Sequence, residues 1–107
     1  MIVIYKHLSY MLNSYLVNFI GSIFYVYIVL ATGNPIAVGA ALALFGLIAK
    51  GIHGASVNPT VTITMAAAGK LTNVEIIPLC ISQILGGLVA LELYKRIQIE
   101  KVEKVEN

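Results

Sequence analysis

Residues 51–69 read GIHGASVNPTVTITMAAAG, and this stretch decides the fold because it places a helix start inside an apolar chain. Asn58 is a favoured N-cap residue, and Pro59 fits the first helical position, where its missing N–H costs nothing. Gly69 is a typical residue just past a helix end. The pattern predicts a helix over about residues 58–69, which at ~1.5 Å per residue spans roughly half of a hydrocarbon core.

The composition predicts an integral membrane protein. Of the 107 residues 59% are hydrophobic and 11% are charged, the mean hydropathy is +0.90, and residues 8–49 include no Asp, Glu, Lys or Arg. Soluble domains rarely have such a composition. The length allows a single membrane domain, residues 1–95, followed by a charged tail, residues 96–107, which is either a helical extension or a mobile end. The net charge of +2 comes from segment ends and the tail, so no nucleic-acid partner is expected.

Three apolar segments, about residues 8–32, 36–50 and 75–94, are predicted to cross the membrane. A Gly-Asn-Pro turn follows the first, and a Thr72-x-x-Glu75 capping box precedes the third. Together with the helix at 58–69, they predict an all-α multi-pass membrane protein with three transmembrane helices and one re-entrant half-helix.

Polar and small side chains recur at helical spacing in these segments. Ser14, Asn18 and Ser22 lie four apart, which predicts a face that packs inward. Asn18 could form interhelical hydrogen bonds or contact a solute directly. Two further faces rich in small residues allow close helix packing: Gly39, Ala43 and Gly46 in the second segment, and Gln83, Gly87 and Ala90 in the third.

The sequence offers little for an enzyme. It contains no Asp, no metal-ligand spacing, no nucleophile elbow and no phosphate loop, so neither a cofactor nor a metal is expected. The single cysteine, Cys80, lies in an apolar run and is expected to be a packing residue. His53 stands alone, and is either a hydrogen-bonded loop residue or part of a pore lining.

A pore is the function that suits residues 51–57, because non-helical backbone at membrane depth persists only where it is buried in protein or lines water. Its carbonyls would offer hydrogen-bond acceptors, the amide of Asn58 would donate to a passing oxygen, and the positive end of the half-helix would repel cations. The alternative is a re-entrant plug that only completes the packing.

Residues 54–62, GASVNPTVT, resemble the first signature loop of the aquaporin, or major intrinsic protein, family, whose pattern is close to S-G-x-H-x-N-P-A-V-T. Residues 18–22, NFIGS, are similar to the family's E-F-L-G-T, residues 32–37, TGNPIA, to its first loop, and residues 82–87, SQILGG, to its A-Q-L-L-G-A. The resemblance implies a pore asparagine at Asn58 and a helix-starting proline at Pro59. It implies a carbonyl ladder at Gly54, Ala55, Ser56 and Val57, with support from Asn18, Thr60 and Gln83.

Several residues depart from the family pattern. Thr60 replaces an alanine, His53 and Ser56 stand where serine and histidine are usual, and Asn18 replaces a glutamate. Val38, twenty residues before Asn58, occupies the position of a filter aromatic. The family is an inverted repeat of two such halves, and this chain covers the first, without the second loop and its filter arginine. The resemblance therefore implies a pore that is wider and less selective.

The resemblance implies a channel for water and/or small neutral solutes such as glycerol. Its pore is expected to form when two copies pair in the membrane as an antiparallel homodimer. Higher homo-oligomers are expected because members of the family form them. A small dual-topology exporter is an alternative, but that class needs a carboxylate in its first helix and this one has none. A truncated copy with a structural or assembly role is the other alternative.

Overall fold

The computed structural model describes residues 1–106, which form four helices and no strand. The helices are α1 (Ile2–Thr32), α2 (Pro35–Ile48), α3 (Pro59–Ala67) and α4 (Asn73–Glu106). The prediction of an all-helical chain is confirmed. Asn107, the last residue of the predicted tail, lies outside the described residues.

Two of the helices, α1 and α4, are long and apolar enough to cross a membrane. With 31 and 34 residues they extend ~46 and ~51 Å, more than a ~30 Å hydrocarbon core requires. The predicted second span corresponds to α2, which has 14 residues and extends only ~21 Å. Its start is defined by Asn34, whose side-chain oxygen accepts the N–H groups of Ile36 and Ala37, and by Pro35 in the first turn.

The helix ends extend past the predicted spans at both termini. α1 begins at Ile2 rather than Leu8, and α4 continues through Lys95 and Arg96 to Glu106. A helix satisfies its own backbone and need not stop where the charged residues begin. Residues 96–106 of the tail are therefore a helical extension, rich in the good helix formers Glu and Lys.

α1 and α4 pack side by side in parallel, since Tyr15 packs against the cluster that includes Leu79 and Asn18 bonds to Gln83. They are in tight contact at Gly86, where an added Cβ would overlap the carbonyl oxygen of Phe19 and lie 2.8 Å from the Cβ of Ser22. The buried residues of α1 are Ser14, Asn18, Gly21 and Ser22, which is the inward face that the sequence predicts. Small and polar residues thus let the two backbones meet.

α2 runs back along α1 after Gly33, whose left-handed conformation (φ 54°) ends the first helix. The ring of Phe45 lies over Gly21, where any side chain would collide with it. By contrast, Gly39 and Gly46 have no neighbour within 4 Å of an added Cβ in the described chain. The small-residue face of α2 is therefore open.

Candidate functional site

The half-helix α3 begins at Pro59 with Asn58 as its N-cap. The Oδ1 of Asn58 accepts the N–H of Thr60 at 2.9 Å, which fixes the orientation of the side-chain amide. The amide NH₂ group then points away from the helix, on an exposed residue, and donates to no group in residues 1–106. It is a free hydrogen-bond donor at the end of the loop.

The loop before α3, residues 51–58, carries three left-handed residues, Gly51 (φ 89°), Gly54 (φ 72°) and Val57 (φ 50°). A β-branched residue such as Val57 is strained there by ~1–2 kcal/mol. It is held by its own N–H, which donates to Asn18 Oδ1 at 3.1 Å, and by burial of its side chain with Phe45 and Ala49. The loop conformation is thus imposed by its surroundings.

Asn18 is fully buried and satisfies its whole hydrogen-bonding capacity. Its Nδ2 donates to the carbonyls of Ser14 at 2.8 Å and Gly54 at 3.0 Å. Its Oδ1 accepts the N–H groups of Ser56 at 3.3 Å and Val57 at 3.1 Å, and also the side chain of Gln83. One side chain of α1 therefore binds the loop backbone on both its donor and its acceptor side.

Gln83 of α4 joins this arrangement from the opposite helix. Its Nε2 donates to Asn18 Oδ1 at 2.9 Å and Thr62 Oγ1 at 2.8 Å, and lies 3.3 Å from Ser56 Oγ. The hydroxyls of Ser56 and Thr62 also bond to each other, at 2.9 Å. We call these four residues the polar cluster. Three helices and the loop meet in it, and sequence reasoning missed Thr62, which lies on the buried face of α3.

The loop carbonyls divide into two groups. That of Gly54 is bonded to Asn18, and that of His53 accepts the hydroxyl of Ser14 at 2.6 Å. Those of Ala55, Ser56 and Val57 accept no hydrogen bond from the part of the chain that the structure describes. The free acceptors and the free Asn58 amide therefore follow one another along four consecutive residues, 55–58.

His53 and Glu75 form a contact that sequence reasoning missed, because 22 residues separate them and the Thr72 capping box already explains the carboxylate. The Nε2 of His53 lies 2.8 Å from Oε1 of Glu75, and its ring lies 5.3 Å from that of Tyr10. The other carboxylate oxygen accepts the N–H and the hydroxyl of Thr72, at 2.8 and 3.0 Å. Glu75 thus caps α4 and binds the loop.

The side chains of the remaining predicted site residues make none of these contacts. Val38 is half-buried in the first turn of α2, and Thr60 is exposed in the first turn of α3, where its carbonyl accepts the hydroxyl of Thr64 at 2.8 Å. Cys80 is a half-buried free thiol. Residues 1–106 bring no three His, Cys, Asp or Glu side chains together as metal ligands.

Long apolar helices around a loop whose backbone is bonded by buried polar side chains define a helical integral membrane protein. Residues 5–106 match the family model described as Major intrinsic protein, and the chain belongs to that family. Its members are membrane channels for water and small solutes, not enzymes. No curated protein and no solved structure matches the chain.

Proposed function

We propose that this chain is a subunit of a passive channel for water and/or small neutral solutes such as glycerol, and that its pore forms when two copies pair. The observation that carries the proposal is the orientation of Asn58. Its oxygen caps α3, which leaves the amide NH₂ free, and the three residues before it in the chain, Ala55, Ser56 and Val57, have free carbonyls. A water molecule or an alcohol both donates and accepts, so it can exchange hydrogen bonds along this row.

The same geometry disfavours cations. The positive end of the α3 dipole lies at Asn58 and Pro59, which raises the energy of a cation there. No acidic side chain lies in residues 51–69 to offset this. We infer that the solute is neutral and that its flow follows its gradient. In this arrangement Gly54 and His53, whose carbonyls are bonded inward, contribute less to the lining than the three residues after them.

Pairing is proposed because one copy of the chain supplies one loop and one half-helix. The open small-residue face of α2 and the exposed face of α3, which includes Thr60 and Thr64, offer surfaces for a second copy. A two-fold axis in the membrane plane would bring two Asn58 residues together, as in inverted-repeat transporters. Val38 would then line a constriction without an aromatic ring, which favours passage of glycerol-sized solutes.

Stopped-flow swelling of vesicles that contain purified protein tests the function directly. We expect water and glycerol gradients to relax faster than in protein-free vesicles. If both relax at the lipid rate, with the protein shown to be inserted, the chain has the structural or assembly role instead. The fold does not support the exporter alternative, because that function needs a carboxylate in the first helix and α1 contains neither Asp nor Glu.

Asn58→Asp is expected to lower the flux of water and glycerol about threefold or more, because it replaces the free amide donor by a carboxylate in a low-dielectric passage. The measurement is vesicle swelling at equal protein content. Asn34→Asp is a matched control, since Asn34 also caps a helix before a proline and is exposed. Equal fluxes in the native protein and in both variants would show that Asn58 does not line the pore.

An antiparallel pair requires both membrane orientations, and the charges favour neither. One end of the molecule carries three basic residues and the other four: Lys6, Lys50 and Lys70 against Lys95, Arg96, Lys101 and Lys104. Such a split gives little orientation preference. A reporter fused after α4 is expected on both sides of the membrane in comparable amounts. More than about nine in ten copies in one orientation would exclude the antiparallel pair.

A further inference from the structure

We propose that Glu75 is a positioning residue of the loop, and that it acts through the side chain of His53. This inference rests on the proposed channel function. The polar cluster binds the loop at Gly54, Ser56 and Val57, whereas the contact between His53 and Glu75 binds it at its other end. We call this contact the clasp.

In the clasp, His53 is the hydrogen-bond donor and Glu75 the acceptor. A carboxylate only accepts hydrogen bonds, so Nε2 of His53 must carry the proton that lies between it and Oε1 of Glu75. The two side chains keep 28% and 13% of their accessible surface, so water shields the contact only in part. The ring of Tyr10 covers the imidazole from α1.

Two further hydrogen bonds hold the two residues of the clasp in place, one at His53 and one at Glu75. The carbonyl of His53 accepts the hydroxyl of Ser14, so both the backbone and the side chain of this residue are held. Glu75 is itself anchored, because its second oxygen accepts the N–H of Thr72 at the start of α4. The loop is thus clamped between α1 and the first turn of α4. Loss of the clasp leaves His53 held only through its carbonyl, by Ser14, and the free carbonyls of residues 55–57 then lose part of their alignment.

Amide hydrogen exchange of residues 52–57, measured in the full chain in lipid nanodiscs, tests the clasp without any transport assay. His53→Leu is expected to speed this exchange about tenfold, since it removes a hydrogen bond to a charged group. His53→Gln keeps a side-chain N–H that can reach Glu75, so exchange should stay within about twofold of the native rate. Thr72→Val, which removes a hydroxyl from Glu75 but leaves the clasp, should also stay within about twofold.

A double-mutant cycle separates this role from a general structural one. In a Glu75→Leu background, His53→Leu should no longer change loop exchange by more than about twofold. Unchanged loop exchange in His53→Leu, an equal rise throughout α1 and α4, or a full His53→Leu effect without Glu75 would each overturn the proposal. If native protein does not speed the swelling of vesicles but the cycle gives the expected result, the proposed channel function is wrong and the role of Glu75 in positioning the loop is still supported.

Discussion

Replacing Asn18 by leucine is expected to destabilise the fold by about 3 kcal/mol, since it orphans three buried donors at ~1 kcal/mol each. These donors are the N–H groups of Ser56 and Val57 and one of the two N–H groups of Gln83 Nε2, all of which bond to Asn18 Oδ1. The other Nε2 hydrogen of Gln83 keeps its bond to Thr62. Leucine has the same number and branching of side-chain heavy atoms and is somewhat larger, so the loss does not come from a cavity. Val57 then keeps its strained conformation without the bond that holds it.

The measurement is the free energy of unfolding in mixed micelles, followed by circular dichroism. Asn13→Leu is the matched control, because the same substitution falls on the same helix at an exposed residue. We expect it to change the unfolding free energy by less than ~0.5 kcal/mol. If both substitutions cost the same, the polar cluster does not stabilise the loop.

Gly86→Ala is expected to cost about 2–3 kcal/mol, because a single methyl group forces α1 and α4 apart. An added Cβ would meet the backbone oxygen of Phe19, which has no rotamer by which to move away, and the Cβ of Ser22 at 2.8 Å. The helices would have to separate along the face that carries Asn18 and Gln83. Loss of stability should therefore accompany loss of the polar cluster.

The next residue along the helix supplies the control. A Cβ at Gly87 would lie 3.7 Å from Val26 Cγ2, an ordinary contact. Gly87→Ala should then be neutral, or stabilise α4 by up to ~1 kcal/mol through helix propensity. The same unfolding assay compares the two variants. A Gly86→Ala protein as stable as Gly87→Ala would contradict the close approach described above.

Local sequence rules foresee the helices of this chain but not their partners. Asn58 before Pro59 marks a helix start because capping chemistry is local, and the four-residue spacing of Ser14, Asn18 and Ser22 identifies the buried face of α1. The bond between His53 and Glu75 is invisible at this level, since a capping box already accounts for the carboxylate. Thr62 was missed because the sequence alone does not show whether a hydroxyl in a short apolar helix is exposed or faces a neighbouring helix.

Local sequence rules also leave open where each helix ends relative to the segment predicted to cross the membrane. Lys6 and Lys95 mark where charge begins, yet α1 starts at Ile2 and α4 runs to Glu106, because a helix continues through a change of solvent. Conversely, apolar composition predicts a span at α2, where only 14 residues are helical. Hydropathy predicts which segments can lie in the membrane, whereas backbone hydrogen bonding and capping determine where each helix ends.

The polar cluster also dictates an order of assembly during synthesis. Asn18 and Gln83 are 65 residues apart along the chain, so at 5–20 residues per second the ribosome needs roughly 3–13 s to deliver the second after the first. During that interval the only helix whose side chains can bind the backbone of the emerging loop is α1. It follows that the loop reaches its final conformation only after Gln83 of α4 has been synthesised.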